Sequence, residues 1–320
     1  MKKCVILYNK PGQNASADEL DVLDQVKIVE ISLSQLGITV FRKGITEDFM
    51  DEINSLLSDK PDFVFNLVES INNKGELCYF VPALLNLYRI SYTGNPLEAI
   101  FMTTSKDLTF KILKLNGIRS PETVHPSEYR RLKPGKQYII KPVWEDGSLG
   151  ITSESVFTFK QIDEIALSSY DDQHWIIQEY IDGREFNISI ISGTDGPEIL
   201  PPAEMRFINF GDKPKIVDFR AKWIEDSFEY VNTVREFPDE SLNLSLQKRI
   251  NETALACWNA FGLKGYARVD LRVDVDDNVF VIEVNANPCL SPGSGLFAAI
   301  EKAGLSFTEV VRRIINDLNY

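Results

Sequence analysis

Two short segments carry the densest chemistry in the chain: Arg268-Val269-Asp270 and, further on, Glu283-Val284-Asn285. Between them stand Asp274, Asp276, Asp277 and Asn278, residue types that favour turns, so the pattern predicts a β-hairpin. With Asp276 and Asp277 as a two-residue loop, Asp270 falls opposite Glu283 and Arg268 opposite Asn285. Strand side chains alternate, so these four share one face, and a loop one residue later keeps them there. Val269, Leu271, Ile282 and Val284 then form an apolar face expected to meet the core. Like charges placed directly opposite destabilise a strand pair, and a divalent cation between them reverses the sign. Two carboxylates and an amide oxygen are hard ligands, suited to Mg²⁺ holding nucleotide phosphates. A solvated acidic face, or neutralisation of one carboxylate by Arg268 alone, stands beside that reading.

Three further clusters have weaker patterns. Lys141 ends the apolar run Tyr138-Ile139-Ile140 and faces a turn-rich loop, Trp144-Glu145-Asp146-Gly147-Ser148-Leu149-Gly150. Small residues let backbone N–H groups approach phosphate oxygens, and a lysine adds a point charge. Lys106 opens a helix behind Ser105, where a helix N-terminus also favours an anion. Gln178-Glu179-Tyr180-Ile181 follows the apolar run Trp175-Ile176-Ile177 and leads into Asp182-Gly183. Backbone groups exposed there would suit the edge of an adenine ring, and Glu185 just beyond would suit ribose hydroxyls. Taken singly, these are equally a surface turn, a surface lysine and a plain strand–turn–strand.

The elements that must position these groups change character along the chain. Strands over residues 3–8, 38–41, 62–67 and 90–92 alternate with helices over 18–36, 47–57 and 76–87, which implies a parallel sheet covered by helices. Thr93-Gly94-Asn95-Pro96 is a break. A helix over 105–115, capped by Ser105 and stopped at Asn116-Gly117, precedes strands over 136–141, 156–159 and 175–179 and a helix near 161–168. Beyond Gly183 the pattern is mainly strands, over 185–191, 203–208 and 215–219. A long helix over 242–261, strands over 265–273 and 279–285, and two closing helices complete it. The expected fold class is α/β, turning to α+β in the C-terminal half, with domains at 1–95, 96–183 and 184–320.

Bulk properties exclude several classes. The formal net charge of −13 argues against a nucleic-acid partner. The basic cluster of Arg130, Arg131, Lys133 and Lys136 flanks a Pro-Gly turn and reads as a solvated loop. No apolar run approaches the ~20 residues needed to span a bilayer. The basic-then-apolar start, MKKCVILYNK, reads as a first buried strand and not as a secretory signal. Cysteines stand at 4, 78, 257 and 289 without a CxxC pair; the first three sit in apolar surroundings, and a reducing cytoplasm is the expected compartment.

Taken in order, the segments resemble the ATP-grasp superfamily, in its D-alanine–D-alanine ligase branch. The likeness rests on Tyr92-Thr93-Gly94, Ser105-Lys106, Ile140-Lys141-Pro142, Gly147-Ser148-Leu149-Gly150-Ile151, Gln178 through Glu185, Ala221-Lys222, Gly265 through Asp270, and Glu283-Val284-Asn285-Ala286-Asn287-Pro288. It covers residues 90–320 well and 1–90 loosely. It implies an N-terminal parallel α/β domain followed by two α+β subdomains that clasp ATP. By position, it assigns Lys106 and Lys141 to ATP phosphates and Lys222 to the γ-phosphate. Glu179 and Ile181 would meet adenine through the backbone, Gln178 its amino group, and Glu185 the ribose. Asp270, Glu283 and Asn285 would hold two Mg²⁺, with Mn²⁺ able to substitute. Arg268 would stabilise charge on the acyl phosphate and tetrahedral intermediate, and Ser148 is counted with Arg268 and Lys222 among the catalytic groups. Ser294 lies where the family grips the second substrate's carboxylate. With Gly295 it precedes an apolar helix, so its alternative role is a plain N-cap.

The chain departs from the family on the substrate side. A loop Ser and a Tyr after the Ala-Lys pair are matched by Gly147 and Trp223. The early His-Gly is replaced by Asn66-Leu67-Val68-Glu69, the N-terminal acid has Asp18 or Glu19 as its counterpart, and Cys289 stands where the family has Gly. The expected activity is therefore ATP-dependent ligation of a small-molecule carboxylate and amine through an acyl phosphate, on amino-acid or short-peptide substrates and with a product other than D-alanyl-D-alanine. D-Alanine–D-alanine ligation proper and a non-catalytic ATP-binding module are the alternatives. A homodimer is common in the family.

Overall fold

The computed structural model describes residues 2–144, 147–160, 167, 169–238 and 242–319. The helix expected near 161–168 falls almost wholly outside them, as do Glu145 and Asp146 and the side chain of Asp18.

The N-terminal sheet is parallel, in the order β2-β1-β3, with β1 at Lys3–Asn9, β2 at Thr39–Ile45 and β3 at Phe63–Leu67. The central strand is apolar on both faces. Cys4 and Ile6 pack against Val26, Val29 and Leu33 of α1 (Ala17–Gln35), while Val5 and Leu7 pack on the other side with Ile53, Val81 and Leu85. Three expected elements differ. The helix over 47–57 is split into α2 (Phe49–Asn54) and α3 (Leu56–Asp59). That over 76–87 is a 3₁₀ turn at Gly75–Leu77 followed by α4 (Phe80–Leu87). Residues 90–92 make only isolated bridges, Tyr92 to Val64 and to Asn319, in place of a strand.

Two helices then meet at Ser105. Helix α5 (Leu97–Thr104) was not anticipated; α6 (Lys106–Leu115) begins where Ser105 Oγ accepts the Leu108 N–H at 3.3 Å. The central sheet is antiparallel in the order β4-β7-β5-β6, with β4 at Thr123–Val124, β5 at Gln137–Pro142, β6 at Val156–Thr158 and β7 at Trp175–Glu179.

The C-terminal sheet is also antiparallel, in the order β11-β10-β8-β12-β13, with β9 on β8. Its elements are β8 (Arg184–Gly193), β9 (Gly196–Ile199), β10 (Ala203–Phe207), α7 (Phe219–Trp223), α8 (Phe228–Asn232), β11 (Thr233–Glu236), α9 (Leu244–Phe261), β12 (Tyr266–Val273) and β13 (Val279–Asn285). The strand expected over 215–219 does not form. Asp218 accepts the Ala221 N–H at 2.9 Å and caps α7, so the chain turns helical there. One face of this sheet is core: Phe186, Ile188, Val269, Leu271, Val273, Val281 and Val284 pack with Leu246, Ile250, Cys257 and Phe261 of α9. The other face carries polar groups beside Ile191 and Tyr266, which pack with the N-terminal core. Helices α10 (Gly295–Lys302) and α11 (Phe307–Asn316) close the chain against the N-terminal sheet, burying Leu296, Ile300, Val310 and Ile314 with Cys4 and Ile6. Among the described residues no helix is long and apolar enough to cross a membrane.

Candidate active site

The hairpin pairs Asp270 with Glu283, Val269 with Val284 and Arg268 with Asn285, the expected register. It reaches that register by another route. Val273 pairs with Val279, so the loop is 274–278 and not the two residues Asp276 and Asp277. Asp274 organises it, its carboxylate accepting the N–H groups of Asp276 and Asn278 at 3.0 and 2.8 Å. Continued unbroken, that loop would set Glu283 opposite Val269, facing the core. A bulge between Asp270 and Leu271 prevents this: Leu271 pairs with Val281, and Ile282 is the extra residue. Val281 is buried where Ile282 was expected to be, and Ile282 is only half-buried.

Three strands supply the polar face. Alternation on β12 presents Arg268, Asp270 and Arg272 together. Register on β8 sets Ser189, Asn187 and Glu185 across from them. Arg268 donates to both carboxylate oxygens of Asp270, at 2.7 and 2.8 Å. Arg272 pairs with Glu185 at 2.9 Å, both side chains buried, and also donates to the carbonyls of Gly183 and Lys215. Gly183, at φ +155, is fixed by this closeness: a Cβ there would lie 2.0 Å from the Val273 carbonyl oxygen.

Lysines enter from three elements, and their electrostatics show how tightly they are gathered. Burial pulls the Lys141 ammonium down to about 7; Lys106 and Arg272 push the same way, and Glu283 and Glu185 oppose them. Burial and the Arg268 charge hold Lys222 below the usual lysine range, against Glu283, Asp270 and Glu185. Burial raises the Glu185 carboxyl, opposed mainly by Arg272. Lys106 on α6, Lys141 on β5, Lys222 on α7, Glu185 on β8 and Asp270, Arg268 and Glu283 on the hairpin thus act on one another in one cleft between the two antiparallel sheets. Lys106 is tied in by its backbone N–H, which donates to the Val143 carbonyl at 3.0 Å.

The glycine loop is fastened to the segment carrying Lys222. Ser148 Oγ donates to the Val217 carbonyl at 2.7 Å, and Trp223 Nε1 to the Gly147 carbonyl at 3.4 Å. Along β7, Gln178 is buried with its amide donating to Thr123 Oγ1 at 3.0 Å. The Glu179 N–H donates to the Glu122 carbonyl and its carboxylate meets Lys136 at 2.6 Å. Ile181 is buried just beyond.

Of the expected substrate residues, Ser294, Gly295 and Glu69 are tied to the turn after β13. Ser294 caps α10, its Oγ accepting the Phe297 N–H at 3.2 Å, and a Cβ on Gly295 would lie 4.0 Å from Arg268 Cδ. Glu69 accepts from Gln25 at 3.1 Å, and Gln25 accepts the Leu290 N–H at 3.1 Å, so α1 links Glu69 to this turn. Cys289 donates to Asp21 at 2.9 Å; burial, with that carboxylate, pushes its thiol well up.

Asp270, Glu283 and Asn285 fit a Mg²⁺ site of the kind the fold implies. Their oxygens are hard donors in cross-strand register. Among the described residues no group of three or more His, Cys, Asp and Glu side chains gathers to hold a metal alone. Two carboxylates and an amide suit an ion whose shell is completed by phosphate oxygens and water. Sequence reading passed over Arg272 and Asn187, although period-two alternation from Asp270 and Glu185 points to both. It also passed over Thr123 and Arg235, whose strands carried no readable pattern.

Comparison with known proteins agrees with this geometry. A family model described as the D-ala D-ala ligase C-terminus matches residues 127–316. A D-alanine–D-alanine ligase of Thermotoga sp. (strain RQ2) is 30% identical over 292 residues, covering 90% of this chain and 89% of its own. A crystal structure of the Bacillus anthracis D-alanine–D-alanine ligase superposes with a TM-score of 0.72 at 22% identity, covering 99% and 96% of the two chains. The VanG D-Ala:D-Ser ligase of Enterococcus faecalis superposes with a TM-score of 0.75 at 19% identity, covering 98% of each. With that family model over more than half of its length and a relative 30% identical along nine-tenths of it, the chain has an ATP-grasp fold and belongs to the D-alanine–D-alanine ligase family of ADP-forming carbon–nitrogen ligases.

Proposed function

We propose that this enzyme joins the carboxylate of one D-alanine to the amine of a second, converting ATP to ADP and phosphate. The observation that carries the reading is the convergence of Lys106, Lys141, Lys222, Arg268, Asp270, Glu185 and Glu283 on one cleft. The curated D-alanine–D-alanine ligases matched along nine-tenths of the chain support the substrate. This reading takes the place of the expectation that Gly147 and Trp223 exclude D-alanyl-D-alanine. The Ser148 hydroxyl and the Trp223 indole fasten the loop to the Lys222 segment, so the loop is held down with Gly147 and Trp223 in place.

The chemistry follows from charge. An oxygen of the first carboxylate attacks the γ-phosphorus, the bond to the β-phosphate oxygen breaks, and ADP leaves. Both reactants are anionic, so the cations Lys141, Lys222 and Arg268 lower the repulsion between them. Bound at Asp270, Glu283 and Asn285, Mg²⁺ would add charge neutralisation of the phosphates. The amine nitrogen then attacks the acyl carbon, Arg268 offsets the charge on the oxyanion, and phosphate departs with the carboxylate oxygen. The fastened loop over the cleft excludes water, which would otherwise consume the acyl phosphate. The test is incubation with ATP, Mg²⁺ and D-alanine. ADP, phosphate and D-alanyl-D-alanine in equal amounts support the reading; turnover only with other amino acids or peptides contradicts the substrate.

A further inference from the structure

Arg235 lies on β11, paired with Met205, and no motif pointed to it. Its Nη1 donates to the carbonyls of Gly293, at 3.0 Å, and Ser294, at 3.4 Å, so it braces the turn that starts α10. At the same turn, a Cβ on Gly295 would lie 4.0 Å from Arg268 Cδ. Two guanidinium groups thus flank the first residues of α10. Arg268 is occupied by the Asp270 carboxylate. Arg235 has no described carboxylate paired with it, and its Nε is buried with no hydrogen-bond partner among the described atoms. Burial and the Arg268 charge both disfavour its cation. A buried donor left unsatisfied, beside a like charge, is costly unless an anion completes the arrangement.

We propose that Arg235 binds the carboxylate of the amine substrate, beside Ser294, and so sets the enzyme's preference for acceptors that are free acids. This rests on the proposed ligation of two amino acids. It divides the labour of the two arginines: Arg268 serves the phosphoryl group and the oxyanion, and Arg235 holds the acceptor in place. A residue that only braced the 293–294 turn would affect acid and amide acceptors alike.

The experiment compares equilibrium binding of D-alanine and D-alaninamide to the enzyme loaded with Mg-ADP, in wild type, Arg235→Gln and Arg235→Lys. Loss of a charge-assisted hydrogen bond predicts that wild type prefers the acid by about 10- to 100-fold. Arg235→Gln should bind both equally, Arg235→Lys should keep part of the preference, and Mg-ADP affinity should not change. An acid preference that survives in Arg235→Gln overturns the proposal, as does a wild type that prefers neither or binds neither. The comparison needs no turnover. A wild type that prefers the acid but makes no dipeptide contradicts the D-alanine reading and leaves Arg235 supported.

Discussion

The C-terminal sheet and the central sheet face one cleft, but they hold their polar groups differently. On the C-terminal sheet, β8, β12 and β13 place Glu185, Asn187, Arg268, Asp270, Arg272, Glu283 and Asn285 in register, and each position is set by backbone pairing above a packed apolar face. On the central side, Lys141 comes from a strand end, while Ser148 and Gly147 come from a loop held by two hydrogen bonds to residues 217 and 223. The sheet is a fixed template for charge; the described part of the loop is held by hydrogen bonds of about 1 kcal/mol each, which suits the proposed cover. Phosphate chemistry needs both: rigid charges where the phosphoryl group moves, and a cover that opens for substrate.

The largest effect should come from the template. Glu283→Gln removes a carboxylate of the proposed metal site while keeping the shape, and turnover should fall about 100- to 1,000-fold or more with an unchanged melting temperature. Near wild-type rates would mean that the hairpin does not hold the metal.

Next comes the buried pair under the template. Arg272→Met leaves Glu185 buried and unpaired, and should cost about 3–5 kcal/mol in urea unfolding. Adding Glu185→Gln should recover much of that. Additive losses would show that the two do not act as a pair.

On the central side, the sign of a proton effect sharpens the contrast. Lys141 is held down to about 7, below its ordinary value, so the free protein binds fewer protons than the unfolded chain above pH 7. Stability of the free enzyme should therefore rise with pH from about 7 towards the unfolded lysine value, and be lost as pH falls through 7. Phosphates of ATP favour the charged lysine, so Mg-ATP binding at pH 8 should take up protons. Calorimetry in buffers of different ionisation enthalpy reads this directly, and zero uptake or proton release would contradict it.

The smallest effect should be at Ser294. Its hydroxyl caps α10, so Ser294→Ala should lower stability by about 1 kcal/mol. A rise in KM for the amine substrate on top of that, with KM for ATP unchanged, would show a substrate contact as well. Stability loss alone would leave Ser294 a cap.

The same contrast explains what the sequence made legible. Period-two alternation fixes which side chains share a face, so Arg268, Asp270, Glu283 and Asn285 could be grouped from the sequence alone. The loop length was misread, because Asp274 and not Asp276 anchors the turn, and the Ile282 bulge restored the register by one compensating residue. Bulges leave no periodic mark. Residues 207–238 were hardest to read. There Asp218 and Ser227 cap helices of five residues, and β11 has four residues. Elements this short carry too few positions for any period, which is why Arg235 went unseen. Long-range ties such as Gln25 to Leu290 depend on the closing helices folding back onto α1, which no local pattern encodes.

In the proposed reaction an oxygen of the substrate carboxylate attacks the γ-phosphorus and later leaves on the released phosphate, while the acyl carbon goes into the amide. This course is tested most directly by turnover with D-alanine carrying ¹⁸O in its carboxylate, followed by mass analysis of the released phosphate. Each phosphate formed with dipeptide should contain one atom of ¹⁸O. Phosphate without the label would mean that water, and not the carboxylate, takes the phosphoryl group, and the acyl-phosphate account of this cleft would be wrong.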